Sequence, residues 1–104
     1  MIFVETKAFT RQALSLLSDD DYRKLQEHLV EHPDAGPIIK GTGGIRKLRW
    51  AGEGKGKSGG VRVIYYWALA KERILLLFMY PKTEKDDLSS GERKVLRRIV
   101  EQDQ

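Results

Sequence analysis

Apolar positions along the chain change their spacing segment by segment, and each spacing predicts an element. Ile2-Phe3-Val4 is a short apolar run that predicts a first strand. Phe9, Ala13, Leu16 and Leu17 fall near helical spacing and predict a first helix of about two turns. Ser18-Asp19-Asp20-Asp21 then supplies an N-cap followed by acids in the first turn, where the helix dipole favours them. Tyr22, Leu25 and Leu29 continue at i, i+3, i+7, so a second helix is predicted over 19–31. His32-Pro33 ends it, because the residue before a proline is pushed out of the helical region.

Past the Gly36-Pro37 turn the period drops to two. Over residues 45–51, Leu48 and Trp50 share one face while Lys47 and Arg49 point to the other. Over 61–69, Val61, Val63, Tyr65 and Trp67 take one face and Arg62, Ile64 and Tyr66 the other. Residues 74–80 are continuously apolar, as in a central strand covered on both sides. The short charged link Lys71-Glu72-Arg73 makes the last two strands a hairpin. Ser89-Ser90-Gly91-Glu92 fits a capping box with Ser89 as N-cap and Glu92 at N3, and Val95, Leu96, Ile99 and Val100 form the stripe of a third helix. The order β-α-α-β-β-β-α describes a small α+β domain: a mostly antiparallel sheet of about four strands with helices on one face.

Length and composition narrow this picture. At 104 residues the chain is a single domain, 1–104, too short for a kinase- or synthetase-sized active site, and 40% apolar residues suffice for a modest core. With no cysteine, it lacks disulfides, thiolate nucleophiles and cysteine-based metal sites, and it suits a reducing compartment. Met1 to Thr10 has no signal-peptide pattern, and the longest apolar run is far too short to span a bilayer. The expectation is a cytoplasmic protein without a membrane partner.

Charge changes the picture more. The net charge of +4 is unevenly spread: residues 1–39 carry −3, residues 40–62 carry +6 and residues 63–104 carry +1. The middle window also holds eight of the ten glycines. An excess of cations on a backbone-exposing stretch points to a phosphate or polyanion partner.

Three nucleotide signatures in that window match only on paper. Gly56-Lys57-Ser58 resembles the tail of a P-loop, but Ala51 stands where the leading glycine belongs and a strand, not a helix, follows. Gly54, Gly56 and Gly59 match the dinucleotide fingerprint and lack the same helix; the kinase-type extension to Val61 lacks every other kinase motif. His28-Leu29-Val30-Glu31-His32 matches an inverted zinc-protease motif, yet Pro33 makes His32 a poor helical residue and no third ligand is evident. Asp86 and Asp87 adjoin a helix start and read as capping charges. No metal or cofactor is expected.

A hairpin of the last two strands sets the start of one beside the end of the other, so Arg62 approaches Lys82. Lys55, Lys57, Arg62, Lys82 and Lys85 then surround one edge of the sheet, with Arg46 and Arg49 contributing from the neighbouring strand. Such a cluster suits a phosphodiester. Crowded cations lower a lysine pKa toward that of a base, and an arginine clamps two oxygens of a developing phosphorane. RNA brings its own nucleophile, the 2′-hydroxyl, so no serine, cysteine or metal is needed. Tyr65, Tyr66 and Tyr80 are candidates to stack on splayed bases.

The segments Gly41-Thr42-Gly43-Gly44-Ile45-Arg46-Lys47-Leu48-Arg49, Gly54-Lys55-Gly56-Lys57-Ser58-Gly59-Gly60-Val61-Arg62-Val63-Ile64-Tyr65-Tyr66 and Tyr80-Pro81-Lys82-Thr83-Glu84-Lys85-Asp86-Asp87-Leu88-Ser89 resemble the RelE/HigB toxins of toxin–antitoxin systems, most closely the HigB type. The resemblance implies a RelE-like α+β domain that enters the ribosomal 30S A site and cuts mRNA without a metal. The products are a 2′,3′-cyclic phosphate and a 5′-hydroxyl. It implies two further partners: the ribosome with its mRNA, and a cognate antitoxin, expected to be a helix-turn-helix protein. It makes Arg62 the stabiliser of the scissile phosphate, Lys55 or Lys57 a general base, and Lys82 or Lys85 a leaving-group acid or charge stabiliser. Arg46, Lys47, Arg49 and Tyr80 are the expected RNA and ribosome contacts, although Leu88-Ser89 stands where several relatives carry a catalytic tyrosine. A ParE-like gyrase inhibitor of the same fold and a non-catalytic RNA-binding module are the alternatives.

Overall fold

The computed structural model of the chain describes residues 1–51, 60–85 and 87–103. Strand β1 (Ile2–Glu5) leads into helices α1 (Lys7–Leu16) and α2 (Asp19–Glu31), followed by β2 (Ile45–Trp50), β3 (Val61–Ala68), β4 (Arg73–Pro81) and α3 (Ser90–Asp103). The element order is the one the hydrophobic spacing predicts. Ser18 caps α2 by accepting the Asp21 N–H at 3.0 Å. Ser89 and Glu92 form the expected capping box, with the Ser89 N–H donating to Glu92 at 2.8 Å and the Glu92 N–H to Ser89 Oγ at 3.1 Å. α1 starts at Lys7, ahead of Phe9, because Thr6 acts as its N-cap and accepts the Phe9 N–H at 3.0 Å.

The four strands lie in the order β1-β4-β3-β2, with β1 parallel to β4 and the other pairs antiparallel. Phe9, Ala13, Leu25 and Leu29 from α1 and α2 pack against Leu48, Val61, Val63 and Tyr65 on one face. Leu96 and Val100 of α3, with Leu88 ahead of it, cover Ile45, Ile64, Leu75, Leu77 and Tyr80 on the other. The helices therefore lie on both faces, which corrects the expectation of one. The cause is in β3 and β4 themselves: both are apolar on both faces, and a single helical layer would leave half of that surface in water.

A β-bulge governs what β4 presents near its end. Ile64 pairs with Phe78 but Tyr65 with Leu76, so Leu77 is the extra residue. Leu75 and Leu77 face α3 before the bulge, and Phe78 and Tyr80 face it afterwards. Thr6 satisfies the bulge from the β1 side, its hydroxyl donating to the Leu77 carbonyl at 2.7 Å and its N–H to the Leu76 carbonyl at 3.1 Å. At the far end Lys71 and Arg73 both engage Asp103, tying the end of α3 to the start of β4. An apolar cavity of about 520 Å³ lies between α3 and β4, lined by Leu77, Phe78, Val95, Leu96 and Ile99 among others. Among the described residues no helix is long and apolar enough to cross a membrane.

Candidate nucleic-acid interface

Pleat alternation and strand pairing decide which cations meet. Arg62, near the start of β3, lies directly between Arg49 of β2 and Tyr80 of β4. Residues 45, 47 and 49 share a face with 62 and 64, so Arg49 and Arg62 stand side by side on the α3 side of the sheet. Lys82 follows β4, and its backbone N–H donates to the Gly60 carbonyl at 3.0 Å, which holds it at the entrance to β3. The approach of Arg62 to Lys82 read from the hairpin is thus realised through Val61 pairing with Pro81.

Arg49, Trp50, Ala51, Gly60, Arg62 and Lys82 line an open cleft of about 190 Å³ at this end of the sheet. Arg62 is only 7% exposed, yet neither it nor Arg49 makes an ion pair among the described residues. Like charges directly opposite on paired strands repel, and a buried guanidinium without a carboxylate is costly. A phosphate in the cleft removes both costs, since each guanidinium offers a planar fork of donors to its oxygens.

The other predicted cations are arranged differently. Lys85 is half-buried, ion-paired with Glu92, and its Nζ lies 5.2 Å from the ring centroids of both Phe78 and Tyr80. The hydrogen bond from Lys85, followed by that from the Ser89 backbone, holds the Glu92 carboxyl below the usual carboxylate range. Lys47, on the Arg49 face, reaches Asp87 at 2.8 Å and lowers the Asp87 carboxyl. Asp87 is therefore a partner of β2 and not a capping charge, because the capping box already uses Ser89 and Glu92; Asp86 lies outside the described residues. The structure does not bring Arg46 to the cleft. It stands an odd number of residues from Arg49, so it points to the opposite side, donating to the carbonyls of Asp34 (3.2 Å) and Gly36 (2.8 Å). Lys55 and Lys57 lie outside the described residues, as do most of the glycine motifs read in that window. The described residues that bound this segment in the chain, Ala51 and Gly60, both line the cleft.

The expected stacking tyrosines are used internally. Tyr80 is 1% exposed and covered by Lys85, so no open ring face is left for a base. Tyr65 is fully buried, its hydroxyl donating to the Pro33 carbonyl at 2.8 Å and accepting the Gly36 N–H at 3.0 Å. Tyr66 packs against the α3 side of the core. Trp50 is the aromatic residue in the cleft wall, although its alternation with Leu48 reads as core. Its position at the last residue of β2, beside the basic window, is the signal that points to the site. His28 and His32 belong to a ring stack: His28 lies 5.4 Å from Trp50 and 5.3 Å from His32. Among the described residues no group of three metal-ligating side chains gathers.

Comparison with known proteins agrees with this arrangement. The family described as the RelE toxin of the RelE/RelB toxin–antitoxin system matches residues 2–103. A solved structure of E. coli toxin RelE, an arginine-to-alanine double mutant in the free state, is similar in fold. It is 16% identical, with a TM-score of 0.58 over 82% of this chain and 86% of that one. The family match spans nearly the whole sequence, and the mixed four-stranded sheet with helices on both faces accords with it: the chain belongs to the RelE family of toxins, whose members act within toxin–antitoxin pairs.

Proposed function

We propose that this toxin is a ribosome-dependent mRNA endonuclease acting in the cytoplasm. The observation that carries the reading is Arg62: a buried guanidinium opposed by Arg49, without an ion-pair partner among the described residues, opening into a cleft that Lys82 also lines. This arrangement stabilises a doubly charged phosphorane better than the singly charged phosphodiester that precedes it, which is the condition for lowering a barrier.

In the reaction, the 2′-hydroxyl loses its proton to a base and its oxygen attacks the adjacent phosphorus. The bond from phosphorus to the 5′-oxygen breaks, and that oxygen takes up a proton. A 2′,3′-cyclic phosphate and a 5′-hydroxyl result, with no water consumed. Arg62 and Arg49 hold the non-bridging oxygens and Lys82 stands at the rim to neutralise or protonate the departing oxygen. The family supplies a reason for restraint as well: a cognate antitoxin partners the toxin. A lysine of the 52–59 segment, Lys55 or Lys57, serves as the base.

Induction in growing cells should arrest growth and yield translated mRNAs with 5′-hydroxyl ends. R62A should lower the cleavage rate on programmed ribosomes by about 100- to 1,000-fold, as loss of one preorganised transition-state donor does. R62K, which keeps the charge and loses the fork, should fall between the two. DNA damage without cut mRNA, or cleavage unchanged in a folded R62A protein, overturns the reading.

A further inference from the structure

The cleft contains one group that phosphate chemistry leaves unused. Trp50 shares its wall with Arg49, Arg62 and Lys82, and its indole Nε1 is buried without a hydrogen-bond partner. A buried indole N–H ordinarily finds an acceptor, so an orphaned one is a cost that a packing role does not explain. The indole is held by ring contact instead: His28 of α2 lies at 5.4 Å, tilted by 42°, with His32 behind it at 5.3 Å. No hydrogen bond fixes the plane of the ring within this backing. The tyrosines that would otherwise stack on bases do not line the cleft.

We infer that Trp50 is a substrate-positioning residue that stacks on the nucleobase flanking the scissile phosphate; the inference rests on the endonuclease reading of the same cleft. Once Arg49 and Arg62 grip a phosphate, the neighbouring base must lie within a nucleotide's reach of the cleft wall, and Trp50 is the aromatic surface there. Cations in register with an aromatic face are the usual means of holding single-stranded RNA. Stacking restricts rotation about the nucleotide and favours the alignment in which the 2′-oxygen, phosphorus and 5′-oxygen are in line. Because every base has a π-face, this contact fixes geometry with little dependence on sequence. It also assigns a role to the His-x-x-Glu-His segment: His28 and His32 support the platform from the end of α2.

Two measurements test the inference. In a W67F protein Trp50 is the sole tryptophan, and its own side chain is untouched. A short RNA carrying a 2′-O-methyl group at the cleavage position cannot react. On titration its binding, followed by the anisotropy of a label on the RNA, should quench the Trp50 fluorescence with the same midpoint. On programmed ribosomes, W50L should lower the cleavage rate by about 5- to 150-fold, whereas W50F, which keeps a ring, should stay within about fivefold of wild type. Binding without quenching overturns the inference, as does a W50L protein that cuts as fast as W50F. R62A separates the two levels: if R62A abolishes cleavage while Trp50 fails both tests, only the platform is lost. If R62A cuts normally, the reading of the whole cleft falls.

Discussion

A single carboxylate, Glu92, joins the start of α3 to the basic segment after β4. It completes the capping box with Ser89 and ion-pairs Lys85, which in turn covers Phe78 and Tyr80. Its folded-state pKa lies below the ordinary value of 4.5, so the unfolded chain takes up a proton there more readily. The stabilisation is complete above that ordinary value and is lost as pH falls through the lower folded one. E92Q should therefore be less stable than wild type at neutral pH by about 0.5–1 kcal/mol, a small figure because the carboxylate is partly in water. Urea unfolding as a function of pH should show the gap closing below about pH 4.5. A gap that is constant down to about pH 3 would show that the charge contributes nothing. The box is legible in sequence because its partners are three residues apart. The Lys47–Asp87 pair is not legible, since it joins residues 40 apart through β2 and the segment ahead of α3.

At the scale of elements, alternation in β2 and β3 is readable because each strand keeps one phase throughout, which is why Arg49 and Arg62 can be assigned to the same face. β4 changes phase at Leu77, and a continuously apolar run carries no mark of where. The burial of Tyr80 follows from that bulge, and so was hidden. Thr6 is the residue that makes the bulge tolerable: one hydroxyl caps α1 and donates to the bulged carbonyl. T6V keeps the β-branched shape but removes both hydrogen bonds. It should cost about 1–3 kcal/mol, from the lost cap and a part-buried carbonyl left unsatisfied, and lower Tm by several degrees. T6S, with its hydroxyl, should recover most of the loss. Thermal melts that superimpose for T6V and wild type would show that the bulge holds without Thr6. The opposite placement of α3 was legible in principle, since two strands apolar on both faces cannot be covered by one layer of helices.

Across the whole molecule the charges are segregated, with residues 1–39 at −3 and residues 40–62 at +6, and the fold converts this order in sequence into a local field. Antiparallel pairing of β3 with β4 brings Lys82 to Arg62 from 20 residues away, and pairing with β2 brings Arg49 from the other side. Exposed charges act over about 8 Å at physiological ionic strength, so cations beyond the cleft add little to the grip on a phosphate. The number of phosphates neutralised can be counted from salt dependence: for single strands, log K falls against log salt with a slope of about −0.7 per phosphate. Removing Lys82 or Arg49 should weaken binding of a non-cleavable RNA and make the slope shallower by about 0.7 each. Lys24, paired with Asp20 at 3.2 Å on α2, gives the control, and K24A should leave both affinity and slope unchanged. If K82A and R49A weaken binding while the slope stays at its wild-type value, the two residues act through structure and not through phosphate. If K24A shifts the slope as much as they do, attraction by net charge, and not a cleft built from three strands, accounts for the affinity.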